Sequence, residues 1–462
     1  MKKTVSVFLI ALLAICFITP ASVNAAASAV DTKLTQRVVA TGQQENWDGV
    51  PTVAQFTDEN GNFCFAYVSD SKLIVVKTEA GKVKEKIKLK LKGKIFGNIV
   101  CDKDGNFYVA TGTCNLGDDT DKETVFISKY DPTGKLKKTI GDNGRSSLAS
   151  YYDKSYNTKA PFNAGTCDMA INGDYLAIYY GRTMYSGHQS CSAWMVDIQN
   201  MKTVTPDTGS RNGYSNYESH SFGQRVIPYA GGFAFMSEGD GYDRAFTFSQ
   251  ADFETNKTSE TPIFDFYVKK GTFDAYNMLI LNDNFAHIGN ICDLGNGNIS
   301  FVASSVKAMN SKAESQIENI FIQIFDPSKD LKKKNAYVTT GTRTGIAGKN
   351  GDESKTNYGV KWLTSYNYYK SGYIANPQAV ADADGNTYVL YERYDNDDEY
   401  LGIYRITVDA NGNVTQKAKK ISKTAHLNSC ETPVLVDDVI YWCGNKDRDY
   451  DYKLYVFKYA IK

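Results

Sequence analysis

The chain has 462 residues, with 52 basic and 52 acidic side chains and a formal net charge of zero. This balance excludes the strongly basic surface of a protein built to bind nucleic acid, so we expect no nucleic-acid partner. With 42% hydrophobic and 13% aromatic residues, the chain can build a large core. No Pro- or Ser-rich linker divides it, which predicts one domain over residues 26–462.

The first 25 residues have the pattern of a secretory signal peptide. Lys2 and Lys3 precede an apolar stretch at 5–18, and Val23-Asn24-Ala25 fits the small-residue rule for cleavage. The apolar stretch is too short for a spanning helix, and no second one follows in the sequence. We therefore expect an exported protein, secreted or held at the cell surface, without a transmembrane anchor.

The exported part repeats one phrase seven times, an Asp/Gly/Asn turn followed by a strand rich in aromatic and β-branched residues. Gly and Asn supply the positive φ of tight hairpins, and the alternating residues fill a sheet face. Repetition of a hairpin unit along a whole chain is typical of a β-propeller. The copies are DENGNFCFAYV from Asp58, DKDGNFYVATG from Asp102, INGDYLAIYYG from Ile171, YAGGFAFMSEG from Tyr229, LGNGNISFVAS from Leu294, DADGNTYVLYE from Asp382 and VDDVIYWCGN from Val436.

A second hairpin with a lysine-rich last strand follows most copies, as in KLIVVKTEAGKVKEKIKL from Lys72. Two consecutive hairpins form one four-stranded antiparallel blade. The chain therefore predicts an all-β, seven-bladed β-propeller, with six or eight blades as alternatives because the third and fourth copies are weaker. The repeat of roughly 63 residues exceeds the ~40–50 of compact blades, so the excess lies in loops.

The seventh copy has only three strands, and the segment KLTQRVVATG at 33–42 is predicted to supply the fourth, outer one. Such closure removes two exposed sheet edges. In this architecture the chain resembles NHL-like and kelch-like repeat propellers over nearly all of its exported length. The lysine-rich outer strands are typical of edges protected against aggregation, with a polyanion-binding stripe as the alternative.

Eight cysteines remain after removal of the signal peptide, and an even number in an exported chain permits disulfides. Cys430 and Cys443 lie near facing positions of one hairpin, which predicts a pair. The candidates for a second pair are Cys114, Cys167 and Cys191, whereas Cys64, Cys101 and Cys292 fit small buried hydrophobic positions.

In a propeller, the segments before the inner strands and the loops between second and third strands surround the mouth of the central channel. This mouth is the default ligand site. Rings beside amide and hydroxyl groups suit a sugar or peptide surface, so we expect a monomer that binds an extracellular glycan or a surface protein there. The alternative is that the rings only pack the loops. The candidate ligand-binding residues are Trp47, Tyr152, Tyr217, His287, Trp362, Tyr369 and Asn376.

A group of His, Tyr and Arg residues in the third and fourth repeats suggests a polysaccharide lyase. Arg would neutralise a uronic acid carboxylate, Tyr or His would remove the α-proton, and a second His would protonate the leaving oxygen. Some secreted propellers that cleave acidic polysaccharides look similar in using these residue types. Salt bridges from Arg225 and Arg244 to nearby aspartates are the structural alternative. The catalytic candidates are His188, His220, Tyr242 and Arg244.

No motif in the chain indicates a cofactor, a zinc site or a phosphate loop. The recurring Asp-x-Asp-Gly-Asn phrase resembles part of a calcium loop, but it recurs where hairpins require it. The acidic runs at 395–399 and 447–451 could hold calcium through oxygen ligands. We predict no cofactor, with a structural calcium ion as the alternative.

Overall fold

The computed structural model describes residues 28–33, 53–69, 71–144, 154–204, 220–239, 245–254, 257–265, 268–273, 279–281, 286–306, 317–330, 360–444 and 453–461. The predicted signal peptide at 1–25 lies outside these ranges. Helical structure within them is limited to a 3₁₀ turn at Lys154–Tyr156 and a one-turn helix α1 (Tyr368–Ser371). No helix in these ranges has the length and apolar character needed to cross a membrane.

The strands form seven four-stranded antiparallel blades, as the repeats predict. The first strand, β1 (Ser28–Lys33), belongs to the seventh blade. Blade 1 contains β2 (Val53–Thr57), β3 (Phe63–Ser69), β4 (Lys72–Glu79) and β5 (Lys82–Lys90). Blade 2 contains β6 (Ile95–Cys101), β7 (Phe107–Gly112), β8 (Val125–Tyr130) and β9 (Leu136–Asp142).

Blades 3 and 4, whose repeats are the least regular in the sequence, are accompanied by extra strands. Blade 3 has an extra strand, β10 (Thr158–Pro161), beside β11 (Cys167–Asn172), β12 (Tyr175–Met184), β13 (Gln189–Asp197) and β14 (Lys202–Val204). Blade 4 contains β15 (Ser221–Tyr229), β16 (Gly232–Gly239), β17 (Ala245–Asp252) and β18 (Lys257–Asp265). A separate two-stranded sheet, β19 (Val268–Phe273) and β20 (Leu279–Leu281), follows it.

The remaining blades complete the ring. Blade 5 contains β21 (His287–Asp293), β22 (Ile299–Val306), β23 (Glu318–Phe325) and β24 (Val360–Trp362). Blade 6 contains β25 (Tyr373–Ala381), β26 (Thr387–Tyr394), β27 (Tyr400–Val408) and β28 (Val414–Ser422). Blade 7 contains β29 (Val434–Val436), β30 (Val439–Gly444), β31 (Lys453–Ala460) and β1.

The inner strands lie side by side around the central axis. β2 contacts β6, and the contacts continue through β11, β15, β21, β25 and β29 back to β2. Of the predicted closing segment 33–42, only Lys33 lies within the described residues. The ring is closed, as expected, by an N-terminal strand, β1 (Ser28–Lys33). It pairs antiparallel with β31, with Ser28 opposite Val456.

Seven hydrophobic clusters form the core, one between each two neighbouring blades. Between blades 4 and 5, for example, the rings of Phe264 and Phe321 stack with centroids 4.0 Å apart. Between blades 7 and 1, Phe63 stacks on Tyr441 at 5.0 Å. The fold is therefore stabilised by burial between blades, because a single sheet cannot cover its own two faces.

The Asp/Gly/Asn turns are hairpin turns that satisfy their own carboxylates. Gly105 has a φ of 78°, and Asp102 Oδ1 accepts hydrogen bonds from the backbone N–H groups of Asp104 (2.9 Å) and Asn106 (2.8 Å). Asp382 repeats this arrangement with Asp384 (3.0 Å) and Asn386 (2.8 Å). These contacts support the turn interpretation of the phrase over a calcium loop. The described residues contain no cluster of three or more potential metal ligands.

The cysteines form no disulfide within the described residues, which include all eight cysteines of residues 26–462. The predicted Cys430–Cys443 pair is therefore absent. Cys443 lies inside β30 with its thiol buried and faces Val456 of β31, whereas Cys430 lies in an irregular segment before β29 that does not pair with β30. Burial also raises the pKa of the Cys443 and Cys167 thiols.

Candidate functional site

Each inner strand begins at the mouth of the channel, and four of the seven have a β-bulge there, followed by a buried or half-buried Asn or Gln. Bulges fall between Phe96 and Asn98 in β6 and between Ile288 and Asn290 in β21. The Asn98 side chain donates to Cys167 O on the next inner strand (2.8 Å), and Asn290 donates to Ala379 O (2.9 Å).

Similar contacts join other blades, and together they form a polar belt around the channel. In blade 4, a bulge between Ser221 and Gln224 precedes Arg225, and Thr166 Oγ1 donates to Gln224 O (3.0 Å). In blade 6, a bulge between Ala375 and Gln378 precedes a contact from Gln378 Nε2 to Asn428 O (2.9 Å). The sequence signal for this belt is a Gly or Pro followed by Asn or Gln at the start of an inner strand, a signal that the hairpin repeats do not reveal.

The segment 428–432, which leads into the inner strand of blade 7, reaches across the channel. Glu431 Oε2 accepts from the Gln55 backbone N–H of blade 1 (3.1 Å), and Glu431 Oε1 accepts from Asn98 Nδ2 of blade 2 (3.3 Å). From the far side of the ring, Arg225 Nη2 of blade 4 donates to Ser429 O (3.4 Å). A single segment therefore contacts blades 1, 2, 4 and 6, and we call residues 428–432 the channel plug.

Three ionisable side chains, Arg225, Asp168 and Glu431 of the plug, interact electrostatically at the channel. Arg225 is 1% exposed, and it also donates to Gly289 O (3.0 Å) and Gln224 O (2.8 Å). Burial, and then the charge of Asp168, holds the pKa of Glu431 well above its usual range. Burial likewise raises the pKa of Asp168, although Arg225 and the backbone N–H of Val226 act in the opposite direction. Proton uptake by these carboxyls is therefore favoured in the folded protein.

Two of the four lyase candidates lie together. His188, in the loop between β12 and β13, and His220, just before β15, have ring centroids 5.8 Å apart in an edge-to-face arrangement. His220 has a φ of 51°, and its backbone N–H donates to Gln189 O (2.9 Å). Tyr242 and Arg244 lie outside the described residues.

His287 begins the inner strand of blade 5 at the channel mouth, and its side chain is 58% exposed. Its Nδ1 lies 3.0 Å from Glu318 Oε2, and the buried Ser304 hydroxyl donates to the same oxygen (2.5 Å). The carboxylate stands between the other two groups, so this is not the arrangement of a serine nucleophile activated by histidine. It orients an exposed imidazole toward the mouth.

A row of stacked rings crosses the mouth end of blade 6. Tyr373 stacks on Tyr394 with centroids 5.0 Å apart, Tyr394 lies 5.4 Å from Tyr400, and Tyr400 stacks on His426 at 4.1 Å. The buried Glu392 carboxylate fixes this row, because it accepts from Tyr394 OH (2.8 Å) and lies 3.3 Å from His426 Nδ1. Tyr373 and Tyr400 are half-buried. We call these four residues the ring row.

The structure places Trp362 away from the inner strands. It lies on β24, the outermost strand of blade 5, opposite Phe321, and its ring packs edge-on against Phe321 with centroids 5.4 Å apart. The sequence assigned it to the connection that enters blade 6, because β24 is short and comes late in its repeat. Trp362 therefore packs the interface between blades 4 and 5.

The other candidates have different positions. Asn376 lies in the bulge of β25 at the mouth, half-buried and with a φ of 49°. Tyr369 belongs to α1, directly before β25, and its side chain is not described. Trp47, Tyr152 and Tyr217 lie outside the described residues.

No protein-family model and no curated protein matches the chain. Several solved structures do match it, at low sequence identity. A protein of unknown function from Dyadobacter fermentans DSM 18053 is 11% identical, with a TM-score of 0.38 over 77% of this chain and 94% of that one. The WD40 repeats of RRP9 are 8% identical, with a TM-score of 0.40 over 88% and 94%.

An ulvan lyase, solved bound to -[GlcA(1-4)Rha3S]-, is 12% identical, with a TM-score of 0.40 over 75% of this chain and 79% of the lyase. The likeness concerns the fold alone. The strand topology confirms the predicted resemblance as seven-bladed propeller architecture, without assignment to the NHL-like or kelch-like family.

Proposed function

We propose that this protein is an exported propeller that binds an extracellular glycan at the channel mouth of blades 5 to 7. The observation that carries the proposal is the ring row, which presents the half-buried rings of Tyr373 and Tyr400 at the mouth. Flat rings offer an apolar face to a sugar, and their polar ends hold its hydroxyls. His287 and Asn376 supply polar groups beside them.

The position of the plug favours a shallow ligand-binding site. Because residues 428–432 contact blades on several sides of the channel, a ligand at the mouth would rest on the plug and the ring row and would not enter a deep pore. A polymer chain can lie across such a surface with both ends free, as an extended polysaccharide requires.

Affinity electrophoresis of the exported part, 26–462, in gels containing neutral or acidic polysaccharides tests the proposal. We expect retardation by at least one polymer, and a dissociation constant about 2- to 10-fold higher for Tyr373→Ala, because one aromatic contact contributes about 0.5–1.5 kcal/mol. Tyr175→Ala is the matched control, since Tyr175 is also half-buried and stacked (4.1 Å from Phe253) but lies at the opposite end of its blade.

Retardation of the wild type with equal losses in both variants would contradict the assignment to the ring row. No retardation by any polymer would contradict glycan binding and would favour a protein partner at the same mouth.

A lyase is the second candidate, because His188 and His220 lie within contact of one another at the mouth between blades 3 and 4. The test is the ultraviolet absorbance of unsaturated uronate after incubation with uronic acid polymers. His220→Asn is the informative variant, since Asn tolerates the positive φ at this position. Product formation that disappears in His220→Asn would support the lyase, and absence of product with every polymer would refute it.

A further inference from the structure

A row of lysines lies along the outer edge of blade 1. Between residues 86 and 94 every second residue is a lysine, each is exposed, and no acidic residue occurs among them. The alternating residues Ile87 and Leu89 are buried in the core between blades 1 and 2. Because side chains alternate along a strand, Lys86, Lys88 and Lys90 of β5 share one face of the blade.

The neighbouring strand, β4, adds a further lysine to this positively charged row. Lys72, the first residue of β4, lies directly opposite Lys90, and like charges at such a position destabilise a sheet. Among the described residues, none of Lys72, Lys86, Lys88 and Lys90 forms an ion pair, whereas Lys84 lies 3.5 Å from Glu79. We call these four lysines the lysine edge.

The spacing of the lysine edge makes its charges act together. Residues two apart in a strand are about 6.7 Å apart, which is less than the screening length of about 8 Å at physiological ionic strength. Lys92 extends the row beyond the strand, where its ammonium lies 5.8 Å from the ring centre of Phe126. The result is a row of closely spaced positive charges on a chain whose formal net charge is zero.

Protection of a sheet edge does not explain this arrangement. Scattered charges are enough to prevent pairing with another edge. The outer strand of blade 6 shows the difference, because its consecutive Lys419 and Lys420 point to opposite faces and Lys420 lies 5.5 Å from the ring centre of Tyr404. An opposed Lys72–Lys90 pair costs stability without adding protection.

We propose that the lysine edge is a second binding site, for a linear polyanion, that attaches the propeller to an anionic polymer independently of the channel mouth. The row contains lysine and no arginine. Lysine acts as a point charge, whereas arginine recognises planar groups by paired hydrogen bonds. The site therefore responds to the charge density of the polymer and not to the kind of anionic group.

The test compares two triple variants of the exported part, 26–462, for binding to long-chain polyphosphate and to heparin at physiological ionic strength. K86Q/K88Q/K90Q removes three charges from the lysine edge. K417Q/K419Q/K420Q removes three from the outer strand of blade 6 and is the matched control. We expect the first to weaken binding to both polymers on the order of a hundredfold, since each lysine near an anionic surface contributes about a factor of five. The control should stay within about twofold of the wild type.

Several results would overturn the proposal. Absence of wild-type binding, or binding to only one polymer, would contradict a site that responds to charge. Equal losses in both variants would show that total charge is responsible and not the lysine edge. Aggregation of K86Q/K88Q/K90Q with unchanged affinity would show that the lysines only protect the edge.

Discussion

Arg225→Met should lower the free energy of unfolding substantially, because Arg225 links the plug to the opposite side of the ring. The guanidinium is 1% exposed, donates at 3.0 Å to Gly289 O and 2.8 Å to Gln224 O, and reaches Ser429 O at 3.4 Å. Methionine fills similar space but supplies neither donors nor charge. Removal of the guanidinium leaves these carbonyl oxygens without their donor, and a buried polar group left unsatisfied costs about 1–3 kcal/mol, so we expect a decrease of at least that size.

Urea unfolding followed by tryptophan fluorescence measures this change, since Trp194 and Trp442 are buried reporters in blades 3 and 7. Glu431→Gln alone and together with Arg225→Met completes a double-mutant cycle. Groups in one network give a coupling of about 0.5–3 kcal/mol. A loss below about 1 kcal/mol for Arg225→Met, or strict additivity with Glu431→Gln, would refute the argument that the plug and blade 4 are linked through these charges.

Three further predictions concern pH, packing and thiols. The raised pKa of Glu431 means that the folded protein binds a proton more tightly than the unfolded chain, so stability should fall as pH rises above the ordinary carboxyl range. Glu431→Gln should flatten this part of the stability–pH curve, and an unchanged slope would contradict the cause. Gly289→Ala should destabilise by about 1–3 kcal/mol in urea unfolding, because a Cβ there would lie 2.7 Å from Val302 O. Gly117→Ala, where the nearest atom is 3.6 Å away, should be neutral, and equal effects would disprove the packing argument. Thiol titration of residues 26–462 in denaturant without reductant should find all eight cysteines reduced, and six or fewer would indicate a disulfide. In the native state only the partly exposed thiols should react, namely Cys101, Cys114 and Cys430.

The number of blades could be predicted because the hairpin turns require particular residues, such as a glycine at positive φ and an aspartate that accepts backbone hydrogen bonds. Gly105 and Gly385 take positive φ angles of 78° and 80°, and the aspartate before each accepts the backbone N–H groups of its own turn. Such local requirements repeat with the fold and are visible in one sequence. The closing strand was harder to place, because β1 is specified by its pairing with β31 and not by any turn of its own.

The site was only partly predictable, because its main features depend on residues far apart in the chain. The mouth loops follow from strand order, which places His287 at the start of an inner strand, whereas its role in ligand binding stays a prediction. The plug could not be predicted from strand order, since Glu431 accepts hydrogen bonds from Gln55 and Asn98, which lie more than 300 positions away in the sequence. Trp362 was assigned to the mouth because it is an aromatic residue in a polar segment of the sequence. Its contact with Phe321, which the sequence does not reveal, shows that it packs between blades.

The pairing of β1 with β31 has a consequence for how the protein is made. Ser28 lies opposite Val456, so the last blade can form only after nearly the whole chain has been synthesised. Contacts at this separation form slowly, because chain entropy must be lost before any stabilisation is gained. A product that ends before Lys453 lacks β31 and leaves β30, with Trp442 and Cys443, as an open edge. Premature termination near the end of the message should therefore yield an aggregating ring, not a slightly shortened one.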